Sequence, residues 1–121
     1  MITLTQKLQH MNACKEAINT IKNKSVINAW NSCKHDKDLM FVIRYLYPKG
    51  CLTQKYRDLA ECAYFYGARI ARKYKLCTVV RNLPIEPPIV NNAVRSIRLV
   101  IPTSVIVRAF TKYGHYMQEN P

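Results

Sequence analysis

The sequence predicts an all-α protein, a compact bundle of five to seven helices in orthogonal, irregular packing. Three observations carry that prediction. Apolar residues recur at three- and four-residue spacing through most of the 121-residue chain. Only three glycines occur, Gly50, Gly67 and Gly114, too few for the many tight turns of a β sandwich. Ser, Thr, Asn or Asp precedes most of the periodic stretches, where a helix N-terminus needs a side-chain acceptor. With 49% apolar residues the chain can bury a core as one domain.

Taken in order, Thr5 is placed to cap a short first helix that uses Leu8 and Met11. Asn12 is placed to cap a second, with Cys14, Ala17, Ile18 and Ile21 on one face. Ser25 caps a third, carrying Val26, Ala29, Trp30 and Cys33. Asp36 opens a fourth through Leu39–Tyr47, which Pro48 and Gly50 stop. This fourth helix is apolar nearly all round and reads as the central, buried one. Thr53 begins the longest helix, to about Tyr74. On it Tyr56, Leu59, Ala60, Ala63, Tyr66, Gly67, Ile70, Ala71 and Tyr74 fall within an arc of about 140°. Ala60, Ala63, Gly67 and Ala71 are small enough for another helix to approach closely.

Leu76–Leu83 continues as a short helix or an extended piece, and Pro84, Pro87 and Pro88 force a break. Ile89–Leu99 reads as a helix with Ile89, Val90, Ala93, Val94 and Ile97 inward. Pro102 interrupts. Thr103 or Ser104 then caps a last helix bearing Val105, Ile106, Ala109, Phe110 and Tyr113, with Gly114 at its end. Residues 96–110 are rich in β-branched side chains, so a short β-hairpin is the alternative there. The whole of 1–121 forms one helical domain, a core over 1–83 and a proline-separated C-terminal helical pair over 84–121.

The charge balance points to function. Nineteen Lys and Arg stand against seven Asp and Glu, a net charge of +12. That exceeds the roughly 2–8 charges that solubility asks of a small domain. A polyanionic partner therefore competes with the plainer reading of a solvated basic surface. The cations are spread along the chain with no basic tail, so a binding face must be assembled by folding.

The outward arc of the longest helix supplies the first candidates: Lys55, Arg57, Arg69, Arg72, Lys73 and Lys75, diluted by Asp58 and Glu61. Phe65 lies near the centre of this arc between Arg69 and Arg72. An exposed ring among guanidinium groups suits base stacking; burial under the C-terminal helices is the commoner fate of a phenylalanine. A second basic group is Arg95 and Arg98, one turn apart, with Arg108 and Lys112, also one turn apart. Two helices joined through Ile101-Pro102-Thr103 have the outline of a helix-turn-helix. The turn lacks the usual glycine, however, and the would-be recognition helix begins with Val105, Ile106 and Val107.

Catalysis finds little support. His10, His35 and His115 are far apart, and Asp36 and Asp38 sit at a helix start, where the macrodipole accounts for them. There is no phosphate-cradling glycine loop and no metal signature, so the expectation is a non-enzyme without cofactor or metal. The five cysteines, Cys14, Cys33, Cys51, Cys62 and Cys77, form no C-x-x-C pair. Their odd number fits free thiols in a reducing compartment, without disulfides. Trp30 with Cys33, and Cys14 with Ala17, read as core packing. The stretch MITLTQKLQHMN carries no signal-peptide run, and no segment approaches the roughly 18–20 apolar residues of a membrane span. The expected setting is the cytoplasm, with no membrane partner.

Some of these residues also fit a broader pattern. Ala13-Cys14 with Glu16-Ala17, Ala29-Trp30 with Cys33, and Asp36 or Asp38 before an apolar helix resemble a family of uncharacterised bacterial and phage proteins that run "ACxEA … AWxxC … DWxLW". Leu59-Ala60-Glu61-Cys62-Ala63, Ala68-Arg69, and Val79-Val80-Arg81 with Pro84 extend the resemblance, which covers about residues 8–90. Leu39 and Phe41 stand where the family's tryptophans would be, and residues 91–121 are additional. The resemblance implies a helical fold and a prokaryotic or viral origin, and no reaction. Some members are labelled immunity proteins of toxin systems.

The function expected is thus that of a non-enzymatic phage or bacterial accessory protein. It would bind nucleic acid or a nucleoprotein complex through a basic helical face, in an anti-defence or virion-associated role. The alternatives are an immunity or antitoxin-type protein that neutralises a partner protein by direct contact, and a nucleotide-binding sponge.

Overall fold

The computed structural model describes residues 2–74 and 92–120. Eight helices and no strand occur among the described residues. They are α1 (Leu4–His10), α2 (Lys15–Ile21), α3 (Val26–Ser32), α4 (Asp36–Leu46), α5 (Gln54–Tyr66), α6 (Ala68–Tyr74), α7 (Ala93–Val100) and α8 (Thr103–Glu119).

The short N-terminal helices are set by their ends. Thr3, rather than Thr5, caps α1, because only Thr3 has a glutamine three residues on. Thr3 Oγ1 accepts from the Gln6 N–H at 3.1 Å, and Gln6 Oε1 accepts from the Thr3 N–H at 2.8 Å. Asn12 closes this helix instead of opening the next. Its φ is +61°, its N–H reaches the Gln9 carbonyl, and the Ala13 N–H reaches the Leu8 carbonyl, each at 3.0 Å. The cap of α2 passes to Cys14, whose Sγ accepts from the Ala17 N–H at 3.4 Å. Ser25 caps α3 as the sequence predicts. Asp36 and Asp38 lie in the first turn of α4, facing the positive end of its dipole.

One face of α4 is buried through Leu39, Met40, Ile43 and Leu46. Its other face reaches solvent, with Phe41 39% exposed, so the helix is not enclosed on all sides.

The longest predicted helix is two. Gly67 has φ +95° and ψ 162°, extended on the left-handed side, where a Cβ is strained. The chain therefore stops α5 and restarts as α6. At the other end of the molecule Gly114 does the opposite of what its type predicts. It lies inside α8, which runs on to Glu119, and the Lys7 side chain packs over it. Residues 96–110 are helical apart from the Ile101–Pro102 link, so the hairpin alternative is not taken up.

The small residues Ala60, Ala63 and Ala71 are fully buried, and α7 packs across α5 and α6 there. This is the close approach that a small-residue stripe allows. α8 packs against α1, α3 and α4. One apolar cluster runs from Leu8 through Trp30, Ile43, Cys62 and Ile97 to Tyr113, joining the C-terminal helices to the N-terminal ones. Tyr113 is fully buried, yet its hydroxyl lies 2.5 Å from His10 Nδ1 and donates to the Tyr45 hydroxyl at 3.3 Å. A buried hydroxyl needs such partners. Burial, and then the Tyr45 hydrogen bond, push the Tyr113 phenol above its usual range, so it stays protonated. Leu76–Leu83, the three-proline break, Ile89, Val90, Lys75 and Cys77 lie outside the described residues.

Candidate anion-binding depression and adjoining groove

The predicted basic arc on α5 and α6 is divided by the break at Gly67, and its members have different roles. The Arg57 guanidinium stacks over the Tyr47 ring at 4.6 Å, and its Nε lies 3.0 Å from Asp58 Oδ1 without hydrogen-bond alignment. Arg72 Nη2 donates to the Leu99 carbonyl at 3.1 Å, tying α6 to the end of α7. Lys55 sits 5.6 Å over the Tyr56 ring. Arg69 and Lys73 are exposed on α6. Phe65 is 43% exposed and stacks on Tyr64 with centroids 4.9 Å apart. Of its two expected fates, the open one is observed.

The acids that dilute this arc are engaged. Glu61 accepts a two-pronged pair from Arg44 of α4, at 2.6 Å from Nε and 2.9 Å from Nη2. Asp58 is buried beside Arg57. Both α5 carboxylates thus face neighbouring arginines, Glu61 that of α4 and Asp58 that of its own helix.

In the second basic group the two pairs part. Arg98 turns toward the last carbonyls of α3: its Nε donates to the Trp30 carbonyl at 2.9 Å and its Nη2 to the Cys33 carbonyl. A cation at a helix C-terminus also answers the macrodipole. Arg95 is exposed at the start of α7, and its N–H is capped by Asn92 Oδ1 at 2.9 Å. Arg108 and Lys112 are exposed on α8.

Arg95 and Arg98 meet a third cation that sequence reasoning missed. Lys34, at the α3–α4 link, lines with them an open depression of about 480 Å³ whose remaining walls are Cys33, Asn92, Val94 and Leu99. Nothing in the sequence pairs Lys34 with a helix so far downstream. The contact exists because Arg98 draws α7 onto the end of α3.

Beyond Lys34 lies a second concavity. Between α1, α2, α3, α4 and α8 runs a groove of about 420 Å³, walled by Leu8, Ile21, Trp30, Leu39, Val42 and Phe110. Lys34, His35, Lys37 and Asp38 also line it, as do Cys14 and Cys33. Cys14 is an exposed free thiol, Cys33 a half-buried one and Cys51 a buried one. Burial pushes the Cys33 and Cys51 thiols above their usual range.

Among the described residues no group of three or more His, Cys, Asp or Glu is placed to hold a metal ion. No helix there is long and apolar enough to cross a membrane. The chain matches no protein-family model, no curated protein and no solved structure.

Proposed function

We propose that the chain binds a nucleic acid or a nucleoprotein complex through an assembled basic surface and catalyses no reaction. Its setting would be a phage or bacterial cell, where it counters a host defence or serves in a virion; the family resemblance is the ground for that setting. The observation that carries the binding reading is the meeting of Lys34, Arg95 and Arg98 in one depression. Among the described residues no carboxylate lines that depression, so nothing there offsets its cations. Phe65, exposed on the same α5–α6 segment as Arg69, offers a ring on which a base can stack. Arg98 is committed to α3, so Lys34 and Arg95 are the freer phosphate contacts.

Fluorescence anisotropy with labelled duplex DNA and single-stranded RNA tests this. The two phosphate contacts of Lys34 and Arg95 contribute about −1.4 to −1.8 to the slope of log affinity against log salt. No binding of either polymer at low salt would refute it.

A second reading has its own observation. The apolar groove suits an immunity-type protein that neutralises a partner by direct contact. Such an interface, with an apolar centre, would hold at high salt, where polyanion binding is lost.

A further inference from the structure

We infer that the groove between α1–α4 and α8 is a binding site for a small anionic amphiphile, an aliphatic chain with a carboxylate or phosphate head. The inference does not rest on nucleic-acid binding, although Lys34 lines both the groove and the depression. Protein interiors close on themselves at crystal-like density, yet this molecule keeps a concavity of about 420 Å³ walled by Leu8, Ile21, Trp30, Leu39, Val42 and Phe110. That size falls in the range of small-ligand pockets, roughly 300–1,000 Å³. Its apolar walls come from five helices, with Leu8, Trp30, Leu39 and Phe110 all buried core residues, and the α1–α2 and α3–α4 links complete the lining. Phe41 extends the apolar surface at the mouth.

The charge at the mouth selects the occupant. Lys34 and Lys37 are exposed and line the groove, with His35 between them. Asp38 is the acid there, half-buried on the first turn of α4. The head of the ligand is held by the two lysines, which outnumber the one lining carboxylate, while the chain lies along the apolar wall. An uncharged chain would forgo the lysines, and a cationic one would meet them as like charges.

The chemistry is shared by free fatty acids and anionic lipid headgroups, so the test separates the two. Octanoate and decanoate, held below their micellar concentrations, are titrated by calorimetry into the whole protein. Each added methylene should tighten binding about fourfold until the groove is full. Decyltrimethylammonium should bind far more weakly than decanoate, with decanol between them.

Lys34→Gln with Lys37→Gln should weaken decanoate about threefold to thirtyfold, the loss of two exposed ion contacts, and leave decanol unchanged. Ala17→Phe places a ring in the groove from α2, where Ala17 is half-buried. It should abolish binding of both decanoate and decanol while the fold melts cooperatively. If that variant fails to fold, the lysine pair and the chain-length series decide alone. Affinity independent of chain length, equal affinity for the cationic analogue, or unaltered binding by a folded Ala17→Phe variant would overturn the site. So would binding to phosphatidylglycerol vesicles with none to monomeric decanoate, which would mean adsorption of the basic surface to a membrane.

Discussion

The same substitution at two glycines should change stability in opposite directions. Gly67 sits at φ +95° and ψ 162°, and a Cβ there would meet nothing within 4 Å. The cost of Gly67→Ala is therefore backbone strain alone, about 1–3 kcal/mol for a residue held in that region. Roughly 0.4–1 kcal/mol returns because alanine narrows the unfolded ensemble. The net loss is about 1–2 kcal/mol. At roughly 2.1 cal/mol/K per residue, the 121-residue chain unfolds with about 0.25 kcal/mol/K, so Tm should fall by about 4–8 °C. Gly114 lies inside α8, where glycine costs roughly 0.5–1 kcal/mol relative to alanine. A Cβ there would come 3.3 Å from Lys7 Cε and 3.5 Å from its Nζ. Those atoms are the end of a flexible chain whose ammonium is already disfavoured by burial, and they can swing aside. Gly114→Ala should therefore raise Tm by about 2–4 °C. Thermal melts followed by circular dichroism at 222 nm read both. A Gly67→Ala variant as stable as the parent would mean that α5 and α6 can run on as one helix. A destabilised Gly114→Ala variant would mean that Lys7 cannot yield.

Three further outcomes follow from side chains already placed. Arg98→Ala removes two charge-assisted bonds to α3 carbonyls and should cost about 1.5–3 kcal/mol in a denaturant melt, whereas Arg95→Ala should stay within about 0.5 kcal/mol. A double-mutant cycle on Arg44 and Glu61 should give a coupling of about 0.5 kcal/mol, because the arginine side chain is 49% exposed, and it should shrink in high salt. Alkylation followed by peptide mass mapping should modify Cys14 before Cys33 and Cys51. Their raised thiol pKa leaves less thiolate at a given pH, so their rates should still be climbing at a pH where an ordinary thiol has levelled off.

The helical class was legible because the apolar periodicity is strong and glycine is scarce. Ser25 as a cap and the small stripe on α5 were legible for the same local reasons. Boundaries failed where one residue type serves two ends. Asn12 can cap an N-terminus or close a C-terminus, and the sequence does not say which; the left-handed turn and its two backbone bonds do. Gly67 lies in register with Ala60 and Ala63, so a packing stripe and a helix break look alike on a helical wheel. Gly114 ends nothing because Tyr113 and Tyr116, stacked on the same helix, carry α8 past it. In the candidate site, the separation of Arg95 from Arg98 by one turn was legible. The use of Arg98 as a staple, the arrival of Lys34 and the shape of the groove were not. Each depends on contacts between residues far apart in the chain, for which charge and periodicity carry no signal.

Basic-surface binding is tested most directly by the salt dependence of nucleic-acid affinity for the parent and for a Lys34→Ala, Arg95→Ala variant, between about 50 and 200 mM salt. Both substitutions are at exposed positions, so the melting temperature should hold. Affinity should fall, and the slope should flatten by about 1.4–1.8, two phosphate contacts at 0.7–0.9 each. Equal slopes for the two proteins, with equal affinity at every salt concentration, would contradict the assignment and leave these cations as a solvated surface.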